Sequence, residues 1–361
     1  MTARRVVICG GGTGGHLFPA LVLGRTLREK DPSLEVTFIG SDRAEERALM
    51  ARHGVPFIAL RIEGLKGRGI RSSKGLALLP FALLHSYRHL RRIKPELVVG
   101  VGSYSSGPVV LAASRLKIPI LLLEQNVVPG FTNRRLLGRA KKVAAAFEAS
   151  LAHLKGKGVF LGNPVRAEFA GRPRKTHDGP FDVLVFGGSQ GSHFLNVAVT
   201  AALPFLNRWK DRLRIVHQTG QADLREVRRS YAESGFPGSV VEAFFDDMAE
   251  RFAAADLVIA RAGATTCAEL IAARKASILV PFAGAADDHQ RKNAEALVDA
   301  GGADIILESD GTPQRFAATL GNMIEHPERL SAMENGLASL AVEDSAGKIT
   351  TLALALMNRR T

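Results

Sequence analysis

The chain has 361 residues, 46% of them hydrophobic, which exceeds one ordinary domain and is enough for two cores. Two cysteines, Cys9 and Cys267, exclude a disulfide scaffold and point to a reducing compartment; with no run of about 18 apolar residues, a spanning helix is excluded too. Lysine and arginine outnumber aspartate and glutamate by 48 to 35, a net charge of +13, so the expected partner is anionic: nucleic acid, a phospholipid surface or a phosphorylated substrate.

Met1-Thr2-Ala3-Arg4-Arg5 leads into only four apolar residues before glycine, so no signal peptide is expected there. That short run, 6–9, reads as a strand and opens into Gly10-Gly11-Gly12-Thr13-Gly14-Gly15-His16. Residues 19–30 read as a helix with proline at its start, 35–39 as a strand, 44–52 as a helix and 57–62 as a third strand. A Gly/Lys/Arg loop at 64–69 precedes a helix over 76–93. Strands at 97–101, 118–123 and 142–145 complete the first set. This alternation predicts a parallel sheet with helices on both faces.

Gly162-Asn163-Pro164 is a turn signal, and 171–180 is polar and rich in Pro, Arg and Lys, so a domain boundary is expected between about 164 and 180. The alternation restarts with strands at 182–186, 213–217, 239–243, 257–260, 277–280 and 304–306. Segments 314–325, 328–341 and 346–358 read as helices. The first of these later strands opens into Gly187-Gly188-Ser189-Gln190-Gly191, repeating the pattern at the start of the chain. Glycine admits positive φ and close approach, and a helix start just beyond offers N–H groups and partial positive charge, which suit phosphate. Two such units suggest two Rossmann-like domains serving an anionic substrate.

Other turns carry candidate chemistry. His16 stands just past the first glycines, where it is either a general base or a capping or core histidine. Gly100-Val101-Gly102-Ser103-Tyr104-Ser105-Ser106-Gly107-Pro108 is a third glycine-rich turn: a second phosphate cradle, or a tight turn capped by Ser106. Glu124-Gln125-Asn126 ends a strand at the ligand edge of an open sheet, where it can bind a sugar or hold the next turn. Arg261-Ala262-Gly263-Ala264-Thr265-Thr266-Cys267-Ala268-Glu269 can hold a diphosphate at its helix start, with Glu269 placed for ribose hydroxyls or for dipole compensation. Asp246-Asp247 and Asp287-Asp288 precede helical patterns and read as caps rather than metal ligands. Gly10-x-Gly12-x-x-Gly15 also matches a dinucleotide fingerprint, but Asp42 arrives late for the ribose acid of an NAD(P)-dependent oxidoreductase. Nucleic-acid binding is disfavoured, because aromatics are 6% and mostly Phe within apolar runs.

Between Glu63 and Glu96 no acidic residue occurs, while Lys66, Arg68, Arg71, Lys74, Arg88, Arg91, Arg92 and Lys94 do. They flank the apolar run 76–84, which is too short to span a bilayer. Leu79, Phe81, Leu83, Arg88 and Arg91 are the expected membrane-facing patch, suited to an anionic headgroup layer. The alternative is an ordinary core helix with a solvated basic end.

Taken in order, Gly11-Gly12-Thr13-Gly14-Gly15-His16 with Phe18-Pro19, Glu124-Gln125-Asn126, Gly162-Asn163-Pro164-Val165-Arg166, Gly187-Gly188-Ser189-Gln190-Gly191, Phe244-Phe245-Asp246-Asp247-Met248 and Arg261-x-Gly263-Ala264 closely resemble the MurG family. These are N-acetylglucosaminyltransferases of glycosyltransferase family 28 that convert lipid I to lipid II in bacterial peptidoglycan synthesis. The resemblance implies an α/β GT-B fold, two Rossmann-like parallel-sheet domains around a cleft. Domain limits of 1–164 and 165–343 are expected, with a C-terminal helix, 344–361, returning to the first domain. It also implies donor contacts for UDP-N-acetylglucosamine from Thr13, Gly14, Gly15, Asn126, Arg166, Ser189, Phe245, Ala264, Thr265, Thr266, Cys267, Ala268, Glu269 and Gln290. The acceptor diphosphate is assigned to Gly14, Gly15, Gly102, Ser103, Tyr104 and Ser105. Departures are His289 where the family has Gln, Ser103 for a glycine, Ser192 for an alanine and Ala262 for a serine.

The reaction expected is inverting transfer to the 4-hydroxyl of the muramyl sugar on undecaprenyl diphosphate, with His16 as base and no metal or other cofactor. N–H groups near Ala264, with Arg166 or Arg261, are expected to meet the charge on the leaving diphosphate. Another lipid-acceptor GT-B transferase is the nearer alternative. Lipid I, the anionic cytoplasmic face of the inner membrane and cell-wall synthesis proteins are the implied partners, in a peripheral enzyme of cell shape and division.

Overall fold

The structure, a computed structural model, describes residues 4–12, 14–62, 71–171, 175–176, 179–236 and 238–358, without the side chains of 71–77. The chain divides into two compact units, Met1–Arg166 with Val342–Thr361, and Ala167–Ala341.

In unit 1 the order is β1 (Arg4–Cys9), α1 (Gly14–Lys30), β2 (Leu34–Ser41), α2 (Ala44–Arg52), β3 (Phe57–Leu60), α3 (Arg71–Ile93), β4 (Leu97–Gly100), α4 (Ser103–Arg115), β5 (Ile120–Glu124), α5 (Phe131–Leu136), β6 (Lys142–Ala145) and β7 (Gly158–Phe160). The strands form one parallel sheet, ordered β3-β2-β1-β4-β5-β6-β7. Strand residues alternate between two cores. Val6 and Ile8 join Leu23 and Leu27 of α1 on one face, while Val7 and Cys9 join Val109 and Ala113 of α4 on the other. Burial on both faces is what continuous apolar strands require. Burial also raises the Cys9 thiol's pKa far above its ordinary value.

Unit 2 repeats the plan. Its elements are β8 (Phe181–Phe186), α6 (His193–Ala202), β9 (Leu213–Gln218), α7 (Leu224–Glu233), β10 (Val240–Glu242), α8 (Met248–Ala254), β11 (Leu257–Ala260), α9 (Ala264–Ala273), β12 (Ser277–Leu279), α10 (His289–Asp299), β13 (Ala303–Ile305), α11 (Pro313–Glu325) and α12 (Glu328–Ala338). The parallel sheet runs β10-β9-β8-β11-β12-β13. The last helix, α13 (Ser345–Asn358), belongs to unit 1. Ile349, Ala353 and Met357, one per turn, enter the core beside α1. Lys30 Nζ donates to Thr351 at 3.1 Å and Arg4 to Asn358 at 2.9 Å.

Three local expectations are corrected. The first helix starts at Gly14 rather than near Pro19, and α4 at Ser103, so each proline lies inside a first helical segment rather than at its entry. Ser106 is therefore no cap; its hydroxyl donates to the Ser103 carbonyl at 3.0 Å, and Gly102 occupies the capping position. The strand β7 carries too few residues to show a period, and the sequence reading passes over it.

Candidate functional site

Both sheets reverse their strand order at one place, between β1 and β4 and between β8 and β11. Ligands of open parallel sheets bind beyond the strand ends at such switch points. The turns after these four strands are the ones that carry the glycine motifs.

At the first switch point, Cys9 pairs with Gly100 in register, so the turns that follow lie side by side. Gly10, at φ +146°, passes so close to Gly102 that a Cβ would sit 2.9 Å from the Gly102 carbonyl oxygen. The amide of Gly11 donates to Ser103 Oγ at 3.0 Å and that of Gly12 to Glu46 Oε1 at 2.6 Å. The half-buried His16 ring stands over Gly102, with Cε1 and Nδ1 at 3.1 and 3.3 Å from where a Cβ would lie, and Gln125 Oε1 at 3.7 Å from the same point. Gln125 is buried and its Nε2 donates to the Val101 carbonyl at 2.9 Å. His16, Gly102, Ser103 and Ser105 thus share one neighbourhood, and Thr13 lies outside the described residues. The Ser103 and Ser105 hydroxyls are 2.9 Å apart.

Glu124 holds a turn. Its carboxylate accepts from the amides of Asn126 and Gly130, both at 3.0 Å, and from Asn133 Nδ2 at 2.8 Å. Burial raises its pKa, and these bonds partly offset the rise. Asn126 is half-buried beside it. Arg166 closes unit 1, its guanidinium 4.8 Å above the Phe18 ring.

The dinucleotide alternative loses its footing here. The Gly11 and Gly12 amides are spent on the protein's own groups, and Asp42 pairs with Arg47 at the end of β2.

At the second switch point, Gly191 and Gly220, both at φ +75°, let two loops meet backbone to backbone. Ser192 caps α6, its Oγ accepting from the Leu195 amide at 3.4 Å. Ser189 is exposed in this loop. Buried Gln218 joins two segments: Nε2 donates to the Gly188 carbonyl at 3.0 Å, and Oε1 accepts from the Phe245 amide at 2.9 Å. The Phe245 amide is therefore committed within the protein.

Across from this loop, α9 begins after Gly263, a residue with no side chain to cap it. Cys267, Ala268 and Glu269 are buried, so Cys267 and Ala268 can offer a ligand only backbone. Burial pushes the Cys267 thiol up to about 12. Arg261 is spent within the protein. Its Nε donates to Ser192 Oγ at 2.9 Å, Nη1 donates to the carbonyls of Val280 and Pro281, and Nη1 lies 2.5 Å from Glu308. Burial lowers its pKa and Glu308 opposes that. A guanidinium so neutralised is a brace, not the free cation expected for a leaving diphosphate.

Gln290 Oε1 accepts from the Phe282 amide at 3.0 Å; His289 Nδ1 donates to the Ala286 carbonyl at 2.6 Å. The aspartate caps are corrected: Asp247 and Asp288 occupy the capping positions of α8 and α10 but make no side-chain cap bond. Among the described residues no three His, Cys, Asp or Glu side chains gather as a metal-ligating group.

On α3, Leu83, Tyr87 and Ile93 pack inward on the core. Phe81 is 73% and Leu84 47% exposed, and Arg88 and Arg91 extend their stripe along the helix. Leu79 and Leu83 are half-buried, so Leu84 is the outward residue that sequence reasoning missed. Lys66 and Arg68 lie outside the described residues, as do the side chains of Arg71 and Lys74. No described helix is long and apolar enough to cross a membrane.

Residues 6–145 match the glycosyltransferase family 28 N-terminal domain and 182–349 its C-terminal domain. A UDP-N-acetylglucosamine–N-acetylmuramyl-(pentapeptide) pyrophosphoryl-undecaprenol N-acetylglucosamine transferase from Myxococcus xanthus is 46% identical, over 98% of this chain and 93% of its own. The transferase of the same name from Syntrophus aciditrophicus is 44% identical, over 98% and 99%. The crystal structure of Acinetobacter baumannii MurG aligns with a TM-score of 0.78 at 30% identity, covering 98% of this chain and 99% of that one. With its two parallel-sheet Rossmann-like units, the fold is α/β of the GT-B class. Similarity of this extent along nearly the whole length decides the relationship: the chain belongs to glycosyltransferase family 28, among the UDP-N-acetylglucosamine–N-acetylmuramyl-(pentapeptide) pyrophosphoryl-undecaprenol N-acetylglucosamine transferases.

Proposed function

We propose that the protein transfers N-acetylglucosamine from UDP-N-acetylglucosamine to the 4-hydroxyl of the muramyl sugar of lipid I, producing lipid II for peptidoglycan. The observation that carries this reading is the full-length similarity to transferases named for that reaction. The paired switch points fit a division of labour, with the acceptor groups and base in unit 1 and most of the donor contacts in unit 2.

The acceptor oxygen attacks the anomeric carbon, its bond forms as the bond to diphosphate breaks, and the configuration inverts. His16 takes the hydroxyl proton, and UDP carries away the electron pair. The start of α9 faces charge that grows on the diphosphate, where backbone N–H groups and the helix dipole are worth most. Glu269 takes the ribose hydroxyls, the Phe245 carbonyl and Ser189 the nucleotide, and the Gln290 amide nitrogen the sugar. Ala264 to Ala268 contribute backbone, and Asn126 and Arg166 are assigned to the donor on the resemblance alone. Gly14, Gly15, Gly102, Ser103, Tyr104 and Ser105 are the acceptor-diphosphate candidates. No step in this scheme draws on a metal ion.

The test is transfer of labelled sugar from UDP-N-acetylglucosamine to a short-chain lipid I analogue, with and without EDTA. Transfer that persists in EDTA is expected. Absence of transfer despite tight donor binding would mean that the acceptor is wrong.

The Phe81–Leu84–Arg88–Arg91 stripe fits attachment to an anionic bilayer at the cytoplasmic face, where the acceptor lies. Vesicle co-sedimentation should rise with anionic lipid content and fall when Phe81 and Leu84 are both changed to Ser. Binding indifferent to both changes removes the stripe from this role.

A further inference from the structure

We propose that Glu46 is a positioning residue whose buried carboxylate clamps the first glycine turn and thereby fixes the helix start that carries His16. The proposal rests on the transferase reading above. Glu46 belongs to the first turn of α2 and is 0% exposed. An acid there ordinarily serves its own helix dipole. This one reaches instead to the turn after β1 and to the last residue of β2. Its Oε1 accepts from the Gly12 amide at 2.6 Å and from the Ser41 hydroxyl, and its Oε2 accepts from the Ser41 amide at 2.9 Å. Burying a carboxylate costs several kcal/mol unless donors replace water. Here three donors do so, two of them backbone amides.

The niche is built for this group. A Cβ on Gly11 would lie 2.8 Å from the Glu46 carboxyl carbon, and one on Gly40 would lie 2.8 Å from Oε2. Neither glycine has the positive φ found at Gly10 and Gly12, so backbone freedom does not explain them. What Gly11 provides is room for the carboxylate; Gly40 makes room for it together with the Phe57 ring and the Gly10 carbonyl. With Ser103 Oγ on the Gly11 amide, consecutive amides of the turn are fixed from two sides, and α1 begins two residues later. The carboxylate also repels any phosphate from this part of the loop, which leaves an acceptor diphosphate to the helix starts.

The deciding experiment uses the full chain with Glu46→Gln. The amide keeps the size but has a single oxygen, and it turns an N–H toward a donor. Three readouts are taken: hydrogen exchange at the Gly12 and Ser41 amides, steady-state transfer, and UDP affinity by calorimetry. Faster exchange is expected at both amides, with kcat down about 10- to 100-fold and with KM for the donor and UDP affinity within about twofold, as for a misplaced reacting group. Ser41→Ala, which removes one donor only, should shift both exchange and kcat in the same direction by less. Unchanged exchange or unchanged kcat in Glu46→Gln overturns the clamp, and so does a loss of UDP affinity as large as the loss of kcat. If that variant does not fold, Ser41→Ala decides by the same readouts. A wild-type protein that transfers no sugar refutes the transferase reading, while the exchange arm still reports on the clamp.

Discussion

The two switch points share a strand order and a glycine-rich turn, yet they are braced with opposite charge. The first is held by a buried acid, with Glu46 on the Gly12 amide. The second is held by a buried base, with Arg261 on Ser192, its charge met by Glu308. In both, a glycine that looks like part of a ligand cradle makes room for the protein itself: Gly11 for a carboxylate, and Gly191 for the backbone of Thr219 and Gly220. What remains to act on a ligand differs as well. The first point offers an imidazole, which can take a proton; the second offers a helix start and a buried acid, which can hold a nucleotide and steady its diphosphate.

The sharpest way to break that contrast is to remove the imidazole. His16→Ala should lower kcat by about 10²-fold or more, the ordinary cost of losing a general base, with UDP affinity little changed. Near-normal turnover would take His16 out of the role. The mirror experiment strikes unit 2. Gly191→Ala drives a Cβ into the Thr219 carbonyl at a positive φ, so it should cost at least about 2 kcal/mol of stability and raise KM for the donor. Urea unfolding and transfer kinetics measure both; an unaltered donor KM would separate this loop from nucleotide binding.

A smaller difference concerns acid. His217 lies buried in unit 2, where desolvation lowers its pKa from the ordinary 6.5 to about 3. Asn196 Nδ2 donates to Thr219 and Asp223, so its Oδ1 accepts from His217 Nε2, and Tyr231 OH donates to Nδ1. This neutral ring is protonated sooner in the unfolded chain. Its contribution is therefore complete above pH 6.5 and is lost as pH falls from 6.5 towards 3. Unfolding midpoints at about pH 8 and about pH 5, which span the upper part of that window, should differ more in wild type than in His217→Gln. Equal differences would refute the assignment.

How much of this was legible in the sequence follows from the range of each interaction. The strands and the glycine turns after β1, β4, β8 and β11 could be read because apolar runs and glycine are local signals. Glu46 could not, since its partner amide is 34 residues away and a first-turn acid already has a sufficient local explanation. Gln218, which ties Gly188 to Phe245, and Arg261, neutralised by Glu308, were hidden for the same reason. On α3 the apolar run was visible, but its outward face was set by packing: Leu83 turns inward with Tyr87, and Leu84 turns out.

The finest test of the comparison is Ser103, the hydroxyl partner of Glu46 in bracing the first turn. It sits at φ +65°, where a side chain costs about 1–2 kcal/mol. Its Oγ accepts from the Gly11 amide, a bond worth about 1 kcal/mol net. Glycine at this position relieves the strain but loses the bond and adds about 0.4–1 kcal/mol of unfolded-chain entropy. These terms nearly cancel, so Ser103→Gly should change stability by less than about 1 kcal/mol, and Ser103→Ala, which keeps the strain and loses the bond, should cost more. Thermal unfolding of the pair measures this. An alanine variant as stable as the glycine variant would mean that the strain at this position is no larger than the roughly 0.4–1 kcal/mol of chain entropy that glycine adds.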